Sequence, residues 1–254
     1  MKKAIKFAII INVIPLLFMS GHSKWAQIHR QKGAADTKRG ALFTKLGNAI
    51  TIAAKLGGGD PEANFKLRLA MDQARAANMP KDNIERAIKR GTGESEGGKI
   101  EEITYEGFGP AGTAFIIEVL TDNRNRTSSA LKHILSKYGG ALGGPNSVSW
   151  VFEQKGIIRI KKIDEGLELE LIDAGVQDII REEDNVAIYT TPNNLKKIKD
   201  FLEQKGIKIE YAEVEQIAKD KKKVSAEEAE KIQKLFDELD EDEDVNNYYT
   251  NAKI

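Results

Sequence analysis

Residues 156–219 read GIIRIKKIDEGLELELIDAGVQDIIREEDNVAIYTTPNNLKKIKDFLEQKGIKIEYAEVEQIAK. Short β-branched runs alternate here with segments of helical apolar spacing, and Gly, Pro and Asn punctuate them. The spacing predicts a strand over Ile157–Lys161, a helix over Asp164–Ala174, strands over Gln177–Arg181 and Val186–Thr190, a helix over Asn193–Gln204 and a strand over Ile207–Val214. That βαββαβ order is the ferredoxin-like arrangement. Two strands of this unit carry Tyr189 and Tyr211, but the aromatic pattern of an RNA-recognition sheet is missing.

Upstream, Thr113–Leu120 is an apolar run that predicts a strand. Thr121-Asp122 then opens a helix through Lys137, closed by Gly139-Gly140, and Ser147–Phe152 predicts another strand. Downstream, Lys219 and Lys221–Lys223 lead to an amphipathic helix over Ala226–Leu239, the acidic run Asp240–Asp244 and a tail, Val245–Ile254. These flanks are expected to form one α+β domain, 93–155 plus 220–254, interrupted by the ferredoxin-like insert 156–219.

The N-terminal part differs in style. Leu42, Phe43, Leu46, Ala49, Ile50 and Ala53 share a face of a helix from Asp36 to Leu56, which Gly57-Gly58-Gly59 ends. Asp60-Pro61-Glu62 has the chemistry of a second helix start, running to Asn78. Pro80 opens a third helix with Gly91 as its stop. Residues 19–92 are thus expected to form a three-helix bundle, joined by a glycine-rich linker to the rest. The fold class is α+β multidomain.

Charge divides along the same boundary. The 254 residues hold 39 Lys/Arg and 39 Asp/Glu. Residues 21–92 carry 14 Lys/Arg against 6 Asp/Glu, a net of +8, whereas 93–254 carry 22 against 33, a net of −11. A basic helical module on an acidic body suggests a polyanion-binding device. Its candidate contacts are His22, Lys24, Trp25, His29, Arg30 and Lys32 on a polar arm, then Lys38, Arg39 and Lys45 on the first helix. Cations and hydroxyls contact phosphate, and an indole stacks on bases. Trp25 fits a packed anchor of the bundle equally well. Arg124 and Arg126, at the start of the Thr121–Lys137 helix, fit either a phosphate clamp or an exposed helix cap.

Other chemistry is poorly supported. Cysteine is absent, which removes thiolate metal sites and cysteine nucleophiles. His22, His29 and His133 lack metal-ligand spacing. Gly107–Gly112 (GFGPAG) matches the G-x-G-x-x-G of dinucleotide sites, but a β-branched run follows where a helix is needed, and Pro110 lacks an N–H for phosphate. The expectation is a turn into a strand, no cofactor, no metal, no small-molecule substrate and no enzymatic activity.

Gly21–Trp25 (GHSKW), Lys38-Arg39-Gly40, Asp60-Pro61-Glu62-x-Asn64, Asn78–Ile84 (NMPKDNI), Arg86-Ala87-Ile88, Tyr105–Pro110 (YEGFGP) and Leu120–Thr127 (LTDNRNRT), taken in order, resemble the YebC/PmpR family. Departures are Ala41, where lysine is common, and Tyr138, where asparagine is common. The resemblance implies a cytoplasmic three-domain protein that needs no cofactor. It also implies either a DNA-binding transcriptional regulator or a ribosome-associated translation factor contacting ribosomal RNA. Family members begin near Met19-Ser20-Gly21, so residues 1–18 look foreign to the family. Those residues, three lysines before a short apolar run, are too short to span a membrane, and no membrane partner is expected. Oligomeric state is not fixed by the sequence.

Overall fold

The computed structural model describes residues 36–95, 99–182 and 185–254. The expectations for residues 1–18 and for the arm carrying His22, Lys24, Trp25, His29, Arg30 and Lys32 lie outside the described residues.

Three helices come first: α1 (Asp36–Gly57), α2 (Phe65–Ala76) and α3 (Lys81–Thr92). Leu42, Leu46, Ile50 and Ala53 of α1 meet Leu67, Ala70, Met71 and Ala74 of α2 and Ile84 and Ala87 of α3 in one core. The second helix starts later than the Asp60-Pro61-Glu62 chemistry suggests. Asp60 Oδ1 accepts only from the Glu62 N–H, at 2.9 Å, within a turn. Asn64 is the true cap: its Oδ1 accepts from Leu67 N at 3.0 Å, and its Nδ2 donates to the carbonyls of Ala53 and Gly58, both at 2.8 Å. An amide both accepts and donates, so it caps α2 while satisfying the end of α1; a carboxylate cannot. Gly91 is likewise not a stop. It lies inside α3, where glycine is required because a Cβ would sit 2.4 Å from the Thr51 carbonyl oxygen of α1. Gly93, at φ +82°, ends the helix instead.

The chain then runs β1 (Glu101–Phe108), β2 (Ala114–Thr121), α4 (Arg124–Lys137), β3 (Ala141–Leu142), β4 (Phe152–Ile160), α5 (Glu165–Asp173), β5 (Asp178–Arg181), β6 (Val186–Thr190), α6 (Leu195–Gln204), β7 (Ile209–Ala218), β8 (Lys222–Lys223), α7 (Ala226–Glu241), β9 (Val245–Thr250) and β10 (Ala252–Lys253). One sheet has the order β3-β1-β2-β9 and another β5-β6-β4-β7. The second is antiparallel throughout, with its first strand along the chain between the third and the last. This is the ferredoxin-like order expected from residues 156–219.

The first sheet buries Phe115, Ile117 and Val119 under α4 and α7, through Leu131, Leu135, Ile232, Leu235 and Phe236. Phe236 stacks on Tyr248 of β9, with ring centroids 5.2 Å apart. Two expectations fail here. Val245–Ile254 is not a loose tail: β9 pairs with β2 across a register shift at Glu118/Val119. Its Asn246-Asn247 lacks an apolar signature, yet Asn247 Nδ2 bonds Glu118 Oε2 at 2.9 Å. Ser147–Phe152 is not a strand either. Ser149–Val151 forms a single 3-10 turn, and Phe152 begins β4, which is longer than expected and pairs along β7 to Ala218. Strand β1 also escaped the sequence, because only Ile103, Tyr105 and Phe108 mark it amid acidic residues.

The bundle docks on both sheets. Gln73 of α2 donates to Glu213 of β7 at 3.0 Å, and Arg68 bonds Asp200 of α6 at 2.9 Å. Lys66 pairs with Glu102 of β1 at 2.9 Å.

Candidate nucleic-acid interface

The basic residues of the bundle separate into those consumed by the fold and those presented to solvent. Lys45 belongs to the first group. It is only 4% exposed, and its ammonium donates to the carbonyls of Leu239 (3.1 Å) and Asp240 (2.7 Å). These sit in the last turn of α7, where orphan carbonyls and the helix dipole favour a cation. Lys45 therefore fastens the bundle to α7 and drops out of the candidate contact set. Sequence alone placed it on the helix but not on a face. Lys55 differs: it donates to the Ile100 carbonyl at 2.9 Å but is itself exposed.

Arg39, Arg86 and Lys89 are exposed. Lys38 lies in α1, but its side chain is outside the described set. Arg86 and Lys89 are three residues apart on α3 and share a face. Arg86 also lines a groove of about 310 Å³ between α1 and α3, with Thr44, Asn48, Asn83 and Arg90 as polar neighbours and Phe43 and Met79 as the apolar floor. The groove offers guanidinium, amide and hydroxyl donors, which is the donor set that phosphate and sugar accept. Arg86, Lys89 and Arg90 were missing from the sequence-based set. Their only signal was basic spacing along Lys81–Arg90, read there as a helical pattern alone. Arg75 and Lys81 are partly neutralised by Asp72 (3.3 Å) and Glu85 (3.4 Å).

The pair at the start of α4 splits. Asn123, not Thr121-Asp122, caps this helix, its Oδ1 accepting from Arg126 N at 3.1 Å. Arg126 Nη2 contacts Asp244 at 2.9 Å and Asp122 at 3.1 Å. The bond to Asp244, with its charge, raises the guanidinium further above its ordinary value. Thr127 Oγ1 also donates to Asp244, at 2.7 Å. Arg126 thus ties α4 to the turn before β9, which favours the cap. Arg124 is exposed and forms no ion pair among the described residues.

The glycine loop is structural at each position. Strand β1 does precede it, but a 3-10 turn and then β2 follow, so no helix start faces it. A Cβ on Gly109 would lie 2.4 Å from the Phe115 ring, and Gly112 adopts φ +63°. Among the described residues no group of three or more His, Cys, Asp or Glu is placed to hold a metal ion, and no helix is long and apolar enough to cross a membrane.

Comparison with known proteins identifies the family and the fold. Residues 23–94 match the family model described as the TACO1/YebC protein N-terminal domain, and residues 100–252 match that for the TACO1/YebC second and third domain. A probable transcriptional regulatory protein of Caldanaerobacter subterraneus subsp. tengcongensis is 48% identical over 93% of this chain and 99% of its own length. Another of that name, from Thermoanaerobacter pseudethanolicus, is 49% identical over 93% of this chain and 98% of its own. A crystal structure of a conserved hypothetical protein from Aquifex aeolicus superposes with a TM-score of 0.81 at 43% identity, covering 91% of this chain and 96% of that one.

Proposed function

The chain belongs to the TACO1/YebC family, and on that premise we propose that it is a DNA-binding transcriptional regulator that grips phosphate through its N-terminal bundle. The observation that carries this is charge segregation: +8 over residues 21–92 against −11 over the remainder to residue 254. The bundle presents Arg39, Arg86 and Lys89 outward while Lys45 faces inward. The expected contacts His22, Lys24, Trp25, His29, Arg30, Lys32 and Lys38 precede or open the first helix in the sequence, and Arg124 adds an exposed cation on the neighbouring domain. The relatives' names supply the regulatory role.

Ordered phosphate contacts fix position and strength; they do not read bases. Binding is therefore expected to fall steeply with salt, with a logarithmic slope of about −0.9 per duplex phosphate neutralised. Genome-wide DNA crosslinking, run beside sedimentation of the same lysate with and without ribosome dissociation, tests the assignment. Discrete DNA peaks support it. Co-migration with ribosomes and no DNA peaks replaces it with a ribosomal-RNA-binding translation factor.

A further inference from the structure

Trp150 is 71% exposed, the most exposed of the large hydrophobic side chains among the described residues. An indole left in water needs an explanation, because burial of so large an apolar surface is the usual outcome. Its backbone is not loose. The Glu106 carboxylate of β1 accepts N–H groups from Asn146 (2.8 Å), Val148 (2.7 Å) and Ser149 (2.8 Å), fixing the turn that carries Trp150. Burial alone would raise the Glu106 carboxyl, but those three N–H groups hold it below its ordinary value. The indole Nε1 donates to Ser147 O at 3.2 Å, which turns its ring outward on a rigid mount. Phe108, two residues after Glu106 on the same side of β1, is also exposed, at 40%.

Lysines lie close to the turn that carries Trp150 and to the loop after Phe108. Lys219 Nζ donates to the Trp150 carbonyl at 2.9 Å. Lys222 Nζ reaches the Ala111 carbonyl at 2.5 Å, in the loop that follows Phe108. Lys223 lies directly across the β8/β10 pair from Lys253, a like-charge pairing that is unfavourable without a counter-charge. Burial and Lys253 together push Lys221 below its ordinary value. Within 219–223, Asp220 is the one acid. This segment is a lysine cluster on a part of the molecule whose net charge is −11. Two non-glycine residues here have left-handed backbone: Ala111 (φ 58°), whose carbonyl accepts from Lys222, and Asn146 (φ 63°), in the turn that carries Trp150. Such strain persists where the surroundings hold a loop in one shape, and it concentrates at binding sites.

We propose that Trp150 and the lysine strip Lys219–Lys223 with Lys253 form a second contact for nucleic acid, taking an unpaired strand by stacking a base on the indole and holding its phosphates with the lysines. This rests on the nucleic-acid role assigned above, and it adds a site remote in sequence from the basic bundle. Rigid aromatic mounts beside cations are how single strands are held without base-specific hydrogen bonds. A duplex keeps its bases stacked and offers the indole no face, so the site selects unpaired nucleotides.

The test uses the whole chain labelled with 5-fluorotryptophan. The sequence has two tryptophans, Trp25 and Trp150, so two fluorine resonances are expected, assigned with Trp150→Phe. A pyrimidine single strand is titrated, then the corresponding duplex, with binding followed independently by anisotropy. The Trp150 resonance is expected to shift saturably with the single strand and not with the duplex. Trp150→Ala is expected to weaken single-strand affinity about tenfold, a typical loss for one stacked base. Lys219→Ala with Lys223→Ala is expected to flatten the salt slope by about 1.4, at roughly 0.7 per single-strand phosphate. Saturated binding with a silent Trp150 resonance overturns this inference and leaves the bundle assignment standing. No binding of either polymer at low salt overturns the bundle assignment itself. A Trp150 resonance that ignores oligonucleotides but moves on concentrating the protein makes the patch a contact between copies of the chain, and also overturns the proposal.

Discussion

Lys45 offers the sharpest separation between a residue that binds and a residue that builds. Replacing it with methionine keeps the aliphatic stem and removes the ammonium that donates to the Leu239 and Asp240 carbonyls. Each charge-assisted bond contributes about 1.5–3 kcal/mol, and the C-terminal dipole of α7 adds up to about 2 kcal/mol in a buried setting. Against this stands the desolvation of the ammonium, several kcal/mol, which the variant recovers. The expected net loss is about 2 kcal/mol. For a chain of this size that lowers Tm by about 4–8 °C. Calorimetry reads the loss, and DNA titrations at four salt concentrations read binding at a temperature where the variant is folded. Because the ammonium never reaches solvent, the salt slope should match the wild type. An unchanged Tm with a slope reduced by about 0.9 would refute the reasoning and return Lys45 to the contact set.

Arg39, Arg86 and Lys89 should behave in the opposite way: changing all three to alanine is expected to flatten the duplex-DNA salt slope by about 2–3 while Tm shifts little, because all three are exposed. Asn64→Ala should cost about 2–3 kcal/mol in denaturant unfolding, since it removes a cap and leaves the Ala53 and Gly58 carbonyls without their donor. Asn64→Asp keeps the cap but sets a buried carboxylate oxygen against those two carbonyls, so it should cost at least as much. Glu215 of β7 is buried, and that burial pushes its carboxyl up to about 7 against the pull of Arg159. Its folded value lies above its unfolded one, so its contribution favours folding at low pH. That contribution is lost as pH rises from about 4.5 through about 7. Glu215→Gln should remove this slope from a Tm-against-pH profile and raise Tm relative to wild type at pH 8.

What the sequence determined by itself was whatever local chemistry and periodicity can carry. The βαββαβ unit was legible because Val186–Thr190 and Ile157–Ile160 are short runs rich in β-branched residues and Asp164 is a sound cap, its Oδ1 accepting from Leu167 N at 2.8 Å. The bundle was legible from the 3.6-residue stripe of α1, and the ordered motifs identified the family. The segregation of charge was countable without coordinates. Tertiary structure alone decided the rest. Strand β9 exists because β2 and the α7 face cover Val245 and Tyr248, a partnership nearly absent from its own Val-Asn-Asn-Tyr-Tyr-Thr pattern. Gly91 is a glycine inside a helix rather than its stop, since a neighbouring helix passes too close for any Cβ. Most of all, the candidate contacts could be sorted only in three dimensions. Lys45 and Arg39 read alike as basic residues on one helix, but one ammonium meets the carbonyls of a distant helix end and the other side chain is exposed. Trp150 gave no surface signal, since an indole in a sequence is by default a core residue. Solvent exposure depends on which distant segments arrive at a face, and no local pattern encodes that arrival.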